Sequence, residues 1–172
     1  MWIGTERRGL LYAKPFRSPF QKYAWGDPLS GRYYDLMAAK LDLTLKPYIR
    51  HVNSIYKDSR GWTWTCMYSG LKLQKTEGGE ERMFTRRDGL MNEMVHSVVE
   101  DDRHDIWAST SFGIAHLYIQ GDSVKRIETY VHQDNVPSES FVNGMAAKLD
   151  DGRIVMQSLD HMVVFDPAAL HA

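Results

Sequence analysis

Short apolar runs, each about five residues long, alternate along this chain with polar turns. Gly, Thr and β-branched residues interrupt the sequence about every ten positions, so a helical period cannot be sustained. The exception is Tyr33–Leu41, which could form two helical turns. The pattern predicts an all-β protein built from short strands.

The same strand pattern recurs along the chain. A strand led by Trp and followed by Gly and an aliphatic residue begins at Trp2, Trp64 and Trp107, and a weaker copy begins at Val155. The steps between these positions are 62, 43 and 48 residues. Repeats of ~40–50 residues are typical of four-stranded propeller blades. The longer first step implies an insertion within residues 26–48.

Two further strands accompany each Trp-led hairpin. An inner strand and an acidic turn precede the later copies, and a short aromatic or β-branched outer strand follows the Gly-aliphatic pair. The inner strands and turns are Val52–Asp58, Val95–Asp101 and Met145–Gly152, and the outer strands are Phe20–Tyr23, Met83–Thr85 and Ile127–Val131. Each repeat therefore has the four strands of one blade. The predicted blades are 1–48, 49–90, 91–138 and 139–172.

We therefore predict a single all-β segment, 1–172, forming a partial β-propeller of about four (three and a half) four-stranded antiparallel blades. The alternative is a β-sandwich with coincidental Trp spacing, but a pattern of three parts recurs three to four times. Trp2, Trp64 and Trp107 hold one position in the repeat, which predicts that they pack between blades. Cys66 lies in a predicted strand and is expected to be buried and unreactive.

The repeat also carries a recognisable motif, Asp-x-x-Gly-x-x-Trp-x-x-Thr followed by Gly-Leu. Asp58, Gly61, Trp64 and Gly70 fit it, and Asp101 begins a second copy that includes Trp107, Thr110 and Gly113. This cadence resembles the two-component regulator propeller repeat family. Departures from the motif are Met67, His104 and Val155, which affect single turns and packing positions.

The resemblance implies a function. In that family the repeats form extracytoplasmic propellers of hybrid sensor histidine kinases, which often regulate polysaccharide use. It implies a non-catalytic periplasmic sensor whose membrane-anchored parent binds a small molecule or oligosaccharide. The segment 136–167 is similar to the last repeat of such a sensor, so we expect the C-terminal blades of a longer propeller, with no kinase domain in this chain.

The strand count adds an expectation about assembly. The chain starts at the second strand of its first blade and stops after the third strand of its last blade. Unpaired blade edges favour association with another chain. The sequence therefore predicts a homo-oligomer, in the form of a dimer that completes one ring of about seven blades.

Strand order also places candidate ligand-binding residues. Loops between second and third strands and crossings from outer to inner strands lie at the same end of every blade, which we call the top face. Aromatic rings and planar polar groups on this face are suited to sugars. The predicted ligand-binding residues are Arg7, Arg8, Arg50, Tyr68, Asn92 and Phe112. Trp25 is either exposed for contact with a ligand or packed at the outer edge.

Composition and charge argue against several kinds of partner and site. Basic residues number 21 and acidic residues 22, and a net charge of -1 argues against a nucleic-acid partner. No apolar run approaches the ~18 residues of a membrane span, and the N-terminus has no signal-peptide core. The single cysteine excludes an internal disulfide and a Cys-based zinc site.

Catalytic and metal sites are not predicted, and no cofactor is expected. The seven histidines show no His-x-x-x-His spacing, although His96 and His116 could line a channel. The acid pairs at 101–102 and 150–151 occupy the same turn, a position that suits turn hydrogen bonds better than glycosidase chemistry. Two alternatives stay open, a protein-binding scaffold and a propeller lyase or glycosidase.

Overall fold

The computed structural model describes residues 2–5, 9–12, 18–40, 51–137 and 139–170, and for 2–5 and 9–12 only the backbone. The strands and the helix are β1 Trp2–Thr5, β2 Gly9–Tyr12, β3 Phe20–Ala24, α1 Pro28–Lys40, β4 Val52–Lys57, β5 Thr63–Met67, β6 Gly70–Gln74, β7 Glu81–Phe84, β8 Val95–Glu100, β9 Ile106–Thr110, β10 Ile114–Gln120, β11 Ser123–Tyr130, β12 Phe141–Lys148, β13 Ile154–Ser158 and β14 His161–Phe165. Short 3-10 helices span Arg86–Asp88, His132–Asp134 and Pro167–Leu170.

Three four-stranded antiparallel sheets confirm the predicted all-β, propeller-like fold. Blade A is β4-β5-β6-β7, blade B is β8-β9-β10-β11, and blade C is β12-β13-β14-β3, while β1 and β2 form a separate hairpin. The inner strands β4, β8 and β12 contact one another, so the three blades converge on a common axis. Within the described ranges, no helix has both the length and the apolar character needed to cross a membrane.

Apolar side chains fill the spaces between adjacent blades. Trp64 lies between blades A and B, and Trp107 lies between B and C; both are fully buried, which confirms the predicted inter-blade position. The Trp107 ring contacts Phe165 at 4.9 Å. Cys66 is also fully buried, and burial raises the pKa of its thiol to about 12, so the prediction of an unreactive cysteine is confirmed.

The motif Asp anchors the motif Trp through a direct hydrogen bond. Trp64 Nε1 donates to Asp58 Oδ2 at 2.9 Å, and Trp107 Nε1 donates to Asp101 Oδ2 at 2.8 Å. The other carboxylate oxygen accepts two backbone N–H groups of the following turn in each case. One carboxylate therefore closes the turn between inner and second strands and satisfies a buried indole, and we call this unit the Asp–Trp clamp.

Blade C has lost both members of the clamp together. Leu149 N–H donates to the Arg153 carbonyl at 2.7 Å, the same turn bond that Asp58 and Asp101 make in blades A and B. Leu149 therefore stands in the Asp position, and Val155 stands in the Trp position. A buried carboxylate facing Val would lose its donor, so the joint replacement keeps the site apolar.

Steric contact explains why the motif has Gly at the start of the third strand. Gly70 and Gly113 have φ of 142° and 86°, and a Cβ at either position would collide with a backbone carbonyl of the outer strand. Only glycine lets the third strand lie this close to its neighbour.

The position of β3 corrects the sequence prediction. The sequence predicts Phe20–Tyr23 as the outer strand of the first blade, 1–48, and predicts that the last blade, 139–172, lacks an outer strand. The structure instead pairs β3 antiparallel with β14, with Phe20 opposite Phe165 and Ala24 opposite His161. The cause is apolar burial, because the Phe20 ring lies 4.9 Å from the Phe165 ring and 5.1 Å from the Tyr130 ring.

Helix α1 covers the outer face of blade C. It starts after Asp27, whose Oδ1 accepts the Leu29 N–H at 2.9 Å, with Pro28 in the first helical position. The prediction of helix in this region is confirmed, and the helix is longer than two turns. Tyr33 and Met37 are buried against an apolar patch of blade C that includes Met145, Val155, Met162 and Val164. The helix thus buries a face that a neighbouring blade would otherwise bury.

The side of blade A opposite Trp64 carries polar and apolar side chains together. The strand register places Lys72 and Glu81 there with Ile55, Met67 and Met83. Lys72 Nζ lies 3.0 Å from Glu81 Oε1 on that side.

The clamp predicts a coupled effect of two substitutions. Trp107→Phe removes the indole N–H from Asp101 and should lower the free energy of unfolding by ~1.5–3 kcal/mol, the usual contribution of a hydrogen bond to a charged group. Asp101→Leu should lower the free energy of unfolding by at least as much. The double variant should lose less stability than the sum of the losses in the two single variants. Urea denaturation should give a coupling energy of ~1–2 kcal/mol between the two positions. Arg103→Ala is the control and should be nearly neutral; additivity of the pair would contradict the clamp.

The pairing of β3 with β14 predicts a specific cross-link. Cysteines introduced by Ala24→Cys and His161→Cys lie opposite each other, within the Cα separation that a disulfide requires. Mild oxidation should produce an intrachain bridge, seen as a faster-migrating monomer on a non-reducing gel. Ala24→Cys with Gln74→Cys, which places the second cysteine in blade A, is the control and should not bridge. Absence of the 24–161 bridge would contradict the observed topology, and a covalent dimer would show exchange of β3 between copies.

Candidate functional site

The inner strands share an irregularity at their top-face ends. The pairing register shifts between Val52 and Ser54 in blade A, between Val95 and Ser97 in blade B, and within Phe141–Ala146 in blade C. Bulges of this kind redirect side chains. They bring Asn53, His96 and Asn143 from three different blades together at the axis.

These three side chains form one hydrogen-bonded group with two serines. His96 Nδ1 lies 2.7 Å from Asn143 Oδ1, and its Nε2 lies 2.8 Å from Ser111 Oγ and 2.9 Å from Ser140 Oγ. Asn143 Nδ2 donates to Asn53 Oδ1 at 3.2 Å. We call these five residues the axial cluster. Through it, blades A, B and C meet in polar contacts at the top face.

The network orients the Asn143 amide towards His96. Because Asn143 Nδ2 donates to Asn53, Asn143 Oδ1 faces the imidazole and accepts from His96 Nδ1. Burial lowers the pKa of His96 below its ordinary value, and the Asn143 hydrogen bond only partly offsets this effect. The imidazole is therefore neutral at physiological pH.

Exposed apolar side chains surround the cluster. Tyr68, Phe112 and Leu159 are the tips of the second-to-third-strand loops of blades A, B and C, and they are 48%, 50% and 59% exposed. Backbone bonds hold these loops against the segments that lead into the inner strands, through Tyr68 N to His51 O, Ser111 N to Met94 O and Leu159 N to Ser140 O. We call Tyr68, Phe112 and Leu159 the apolar rim. Half-exposed rings beside a polar centre form a plausible ligand surface.

The predicted ligand-binding residues fall into three groups. Tyr68 and Phe112 both lie on the rim, and the Tyr68 ring contacts the His51 ring edge-on at 5.5 Å. Asn92 lies in the crossing to β8, where its Oδ1 accepts the Met94 N–H at 2.8 Å and shapes the backbone. Arg7, Arg8 and Arg50 lie outside the described residues.

Trp25 was left open by the sequence between an exposed and a packed position. It is 49% exposed, and its Nε1 donates to the Leu159 carbonyl at 3.3 Å. Trp25 therefore extends the apolar rim at blade C.

Strand order places Ser111 and Ser140 in loops of the top face, whereas Asn53 and Asn143 were not among the predicted ligand-binding residues. A signal for them exists, because Asn53, His96 and Asn143 each follow the first Val of an inner strand. A polar residue at this position of three inner strands indicates a shared polar environment. The longer bulge in blade C obscures the match, because it places Asn143 one residue further from the following turn.

The opposite end of the blades carries a group that resembles a catalytic triad only by composition. His104 Nδ1 lies 2.7 Å from Glu100 Oε1 and 3.2 Å from Ser59 Oγ, while the Ser59 hydroxyl donates directly to Glu100 at 2.7 Å. A hydrolytic His uses its two nitrogens for two different partners. Here both contacts use Nδ1, so the group is a bridge between blades A and B.

A second acidic group is built into the interior of blade B. Asp101, Asp105 and His116 are buried and offer polar atoms within 4.8 Å of one another. Asp101 accepts the Trp107 indole N–H and two backbone N–H groups, and Asp105 lies 2.9 Å from His116 Nε2. The His116 ring stacks on Trp107 at 3.9 Å, within the core. These contacts give the group a structural role behind the clamp.

The paired acids at the turns have separate roles. Asp101 is buried in the clamp, whereas Asp102 is exposed and lies 2.7 Å from Lys148 Nζ of blade C. Asp151 accepts the Arg153 N–H at 3.1 Å. The predicted turn role of these positions is confirmed for Asp101 and Asp151.

Proteins of known structure include extracellular domains that are similar to this chain. The chain is similar to the crystal structure of the extracellular domain of a putative hybrid two component system from B. thetaiotaomicron, with 31% identity over 69% of this chain and a TM-score of 0.64. It spans 16% of the length of that domain. The extracellular domain of a putative one component system from the same organism matches with 15% identity over 72% of this chain and 17% of that one, at a TM-score of 0.49. No protein family profile and no curated protein sequence matches the chain.

The Glu100 bridge predicts a pH-dependent stability. Burial alone would raise the pKa of Glu100, but hydrogen bonds from the Ser59 N–H and hydroxyl and from His104 outweigh it and lower that pKa. A carboxyl whose folded-state pKa is depressed stabilises the fold above its unfolded pKa of about 4.3, and this contribution is lost as the pH falls further. Glu100→Gln should lower the Tm by roughly 3–12 °C at pH 7.

The difference in Tm between Glu100→Gln and the unmodified protein should shrink as melting curves are taken from pH 7 towards pH 3. Glu80→Gln is the control, since Glu80 is exposed. A difference that stays constant with pH would contradict the lowered pKa of Glu100.

Proposed function

We propose that this chain is a ligand-binding segment of an extracytoplasmic sensor domain in a two-component system, and that it binds a saccharide on the top face. One observation carries the ligand site: a neutral polar cluster from three blades, ringed by half-exposed apolar side chains. The likeness to the extracellular domain of a putative hybrid two component system supports the sensor role.

The chemistry of the top face suits a sugar. Tyr68 and Phe112 offer ring faces and edges to the apolar side of a pyranose. The axial cluster beside them offers amides, hydroxyls and an imidazole for hydrogen bonds to sugar hydroxyls. Pockets that combine apolar walls with a few directed polar groups are the usual form of small-molecule sites.

We propose a binding role without catalysis. The acidic groups at the turns between inner and second strands are engaged in the clamp and in the bridge between blades A and B, and Glu139 on the top face bonds to His161 and Ser158. Glycoside hydrolysis needs two carboxyl groups facing one cleft. The Asp101–Asp102 pair does not meet this requirement, because one side chain is buried and the other points to Lys148.

In this proposal, ligand binding at the site acts on a larger receptor. The chain spans 16% of the related extracellular domain, so further blades and a signalling part belong to the proposed receptor. A ligand shifts such a receptor only by binding one arrangement more tightly than another. The axial cluster joins three blades and is suited to that role. Its place among the C-terminal blades, the periplasmic location and the association of two copies stay predictions.

Binding should depend on the rim aromatics. A panel of neutral and acidic plant and host oligosaccharides, two to six sugars long, is tested by thermal shift and then by calorimetry. At least one should bind, and Phe112→Ala and Tyr68→Ala should each weaken it about tenfold or more, since loss of an aromatic contact costs ~1.4 kcal/mol or more.

Leu36→Ala is the matched control, because Leu36 is exposed on α1 and lies beside Leu149 and Asp150 of the turn at the opposite end of blade C. It should bind as the unmodified protein does. Turnover of any panel member would favour the lyase or glycosidase alternative. Affinity that is unchanged by both rim substitutions would overturn the proposed site. Failure of every oligosaccharide in the panel to bind would overturn it as well.

A further inference from the structure

The side chains of the axial cluster are all uncharged at neutral pH. They are two amides, two hydroxyls and an imidazole whose protonation is disfavoured by burial. Asn143 is exposed, and Asn53, Ser111 and Ser140 are half-buried, so the cluster is open to the top face. A ligand that reaches the axis therefore meets neutral donors and acceptors first.

The cluster has hydrogen-bonding capacity beyond its internal bonds. The Asn143 amide nitrogen has two hydrogens and donates one to Asn53, and each amide oxygen has two lone pairs. A planar amide presents a donor and an acceptor side by side, which matches two adjacent hydroxyls on a sugar ring. Such hydroxyls can bind without breaking the bonds that hold His96.

An ionised carboxylate adjoins the cluster in sequence. Glu139 precedes Ser140, and its Oε1 lies 2.6 Å from His161 Nδ1 and 2.9 Å from Ser158 Oγ. Burial raises the pKa of Glu139, but these hydrogen bonds outweigh the burial, so the carboxylate is ionised at neutral pH. Among the described residues, no Lys or Arg side chain bonds to a member of the axial cluster.

We infer that the axial cluster reads the hydroxyl groups of a neutral saccharide and discriminates against saccharides that carry a carboxylate. This inference rests on the proposed function and adds the class of ligand. A carboxylate at the axis would lose its hydration and would find only uncharged side chains in the axial cluster. A neutral hydroxyl at the same place gives up less hydration free energy and gains hydrogen bonds to the amides.

The test uses a ligand pair that differs at one group. A neutral oligosaccharide identified in the panel is compared with its C6-oxidised form, in which a primary alcohol has become a carboxylate and the rest of the molecule is unchanged. Calorimetry at pH 7 should show that oxidation weakens binding at least tenfold. Asn143→Asp should weaken binding of the neutral sugar similarly, because it places a charge in the cluster and removes the amide donor.

Gln133→Glu adds the same charge in an exposed crossing on the same face and should bind as the unmodified protein does. Ser140→Ala removes one hydroxyl next to His96 and should weaken binding without changing the Tm appreciably, because Ser111 still serves Nε2. Equal or tighter binding of the oxidised sugar would overturn the inference and leave the proposed function intact. Failure of all sugars to bind, or binding unaffected by Phe112→Ala, would overturn both.

Discussion

The hydrogen bond between the turn carboxylate and the buried indole is the constraint on which the blades depend. An indole N–H inside an apolar layer is costly without an acceptor, and a buried carboxylate is costly without donors. The clamp satisfies both with one side chain, Asp58 or Asp101, and fixes the turn at the same time. Trp64 and Trp107 can then fill the space between blades with their indole N–H groups hydrogen-bonded. Blade C keeps the turn and has Leu149 and Val155 at the two positions, so it contains neither a buried carboxylate nor an indole that would need one.

Blades bury their apolar faces against a neighbour, and at blade C a helix takes the neighbour's place. Blade C receives β3 as its outer strand and α1 over its apolar face, where Tyr33 and Met37 are buried. This arrangement limits the apolar surface that blade C would otherwise expose. The outer edge of blade C, which the sequence leaves unpaired, is therefore occupied within the chain.

The candidate site follows from the same convergence. Because the inner strands meet at the axis, a bulge at the same height in each brings side chains from three blades into one network. The apolar rim arises because the loops between second and third strands are only two or three residues long and each carries one exposed apolar side chain. A ligand held there would contact all three blades at once, which couples occupancy to their relative positions. The candidate site thus combines neutral polar groups and exposed apolar side chains at the point where three blades meet.

What the sequence determined by itself is local and repetitive. Alternation, turn residues and the recurrent Trp were enough for the all-β class, the burial of Trp64 and Trp107 and the inert state of Cys66, because each depends on neighbours close in the chain. They also placed Tyr68 and Phe112 on one face. The tertiary structure decided the partner of β3, since Phe20 could pair with any free edge and the Phe165–Tyr130 pocket exists only after blades B and C have packed. It also decided the axial cluster, because Asn53, His96 and Asn143 are distant in sequence and meet only where three bulged strands converge.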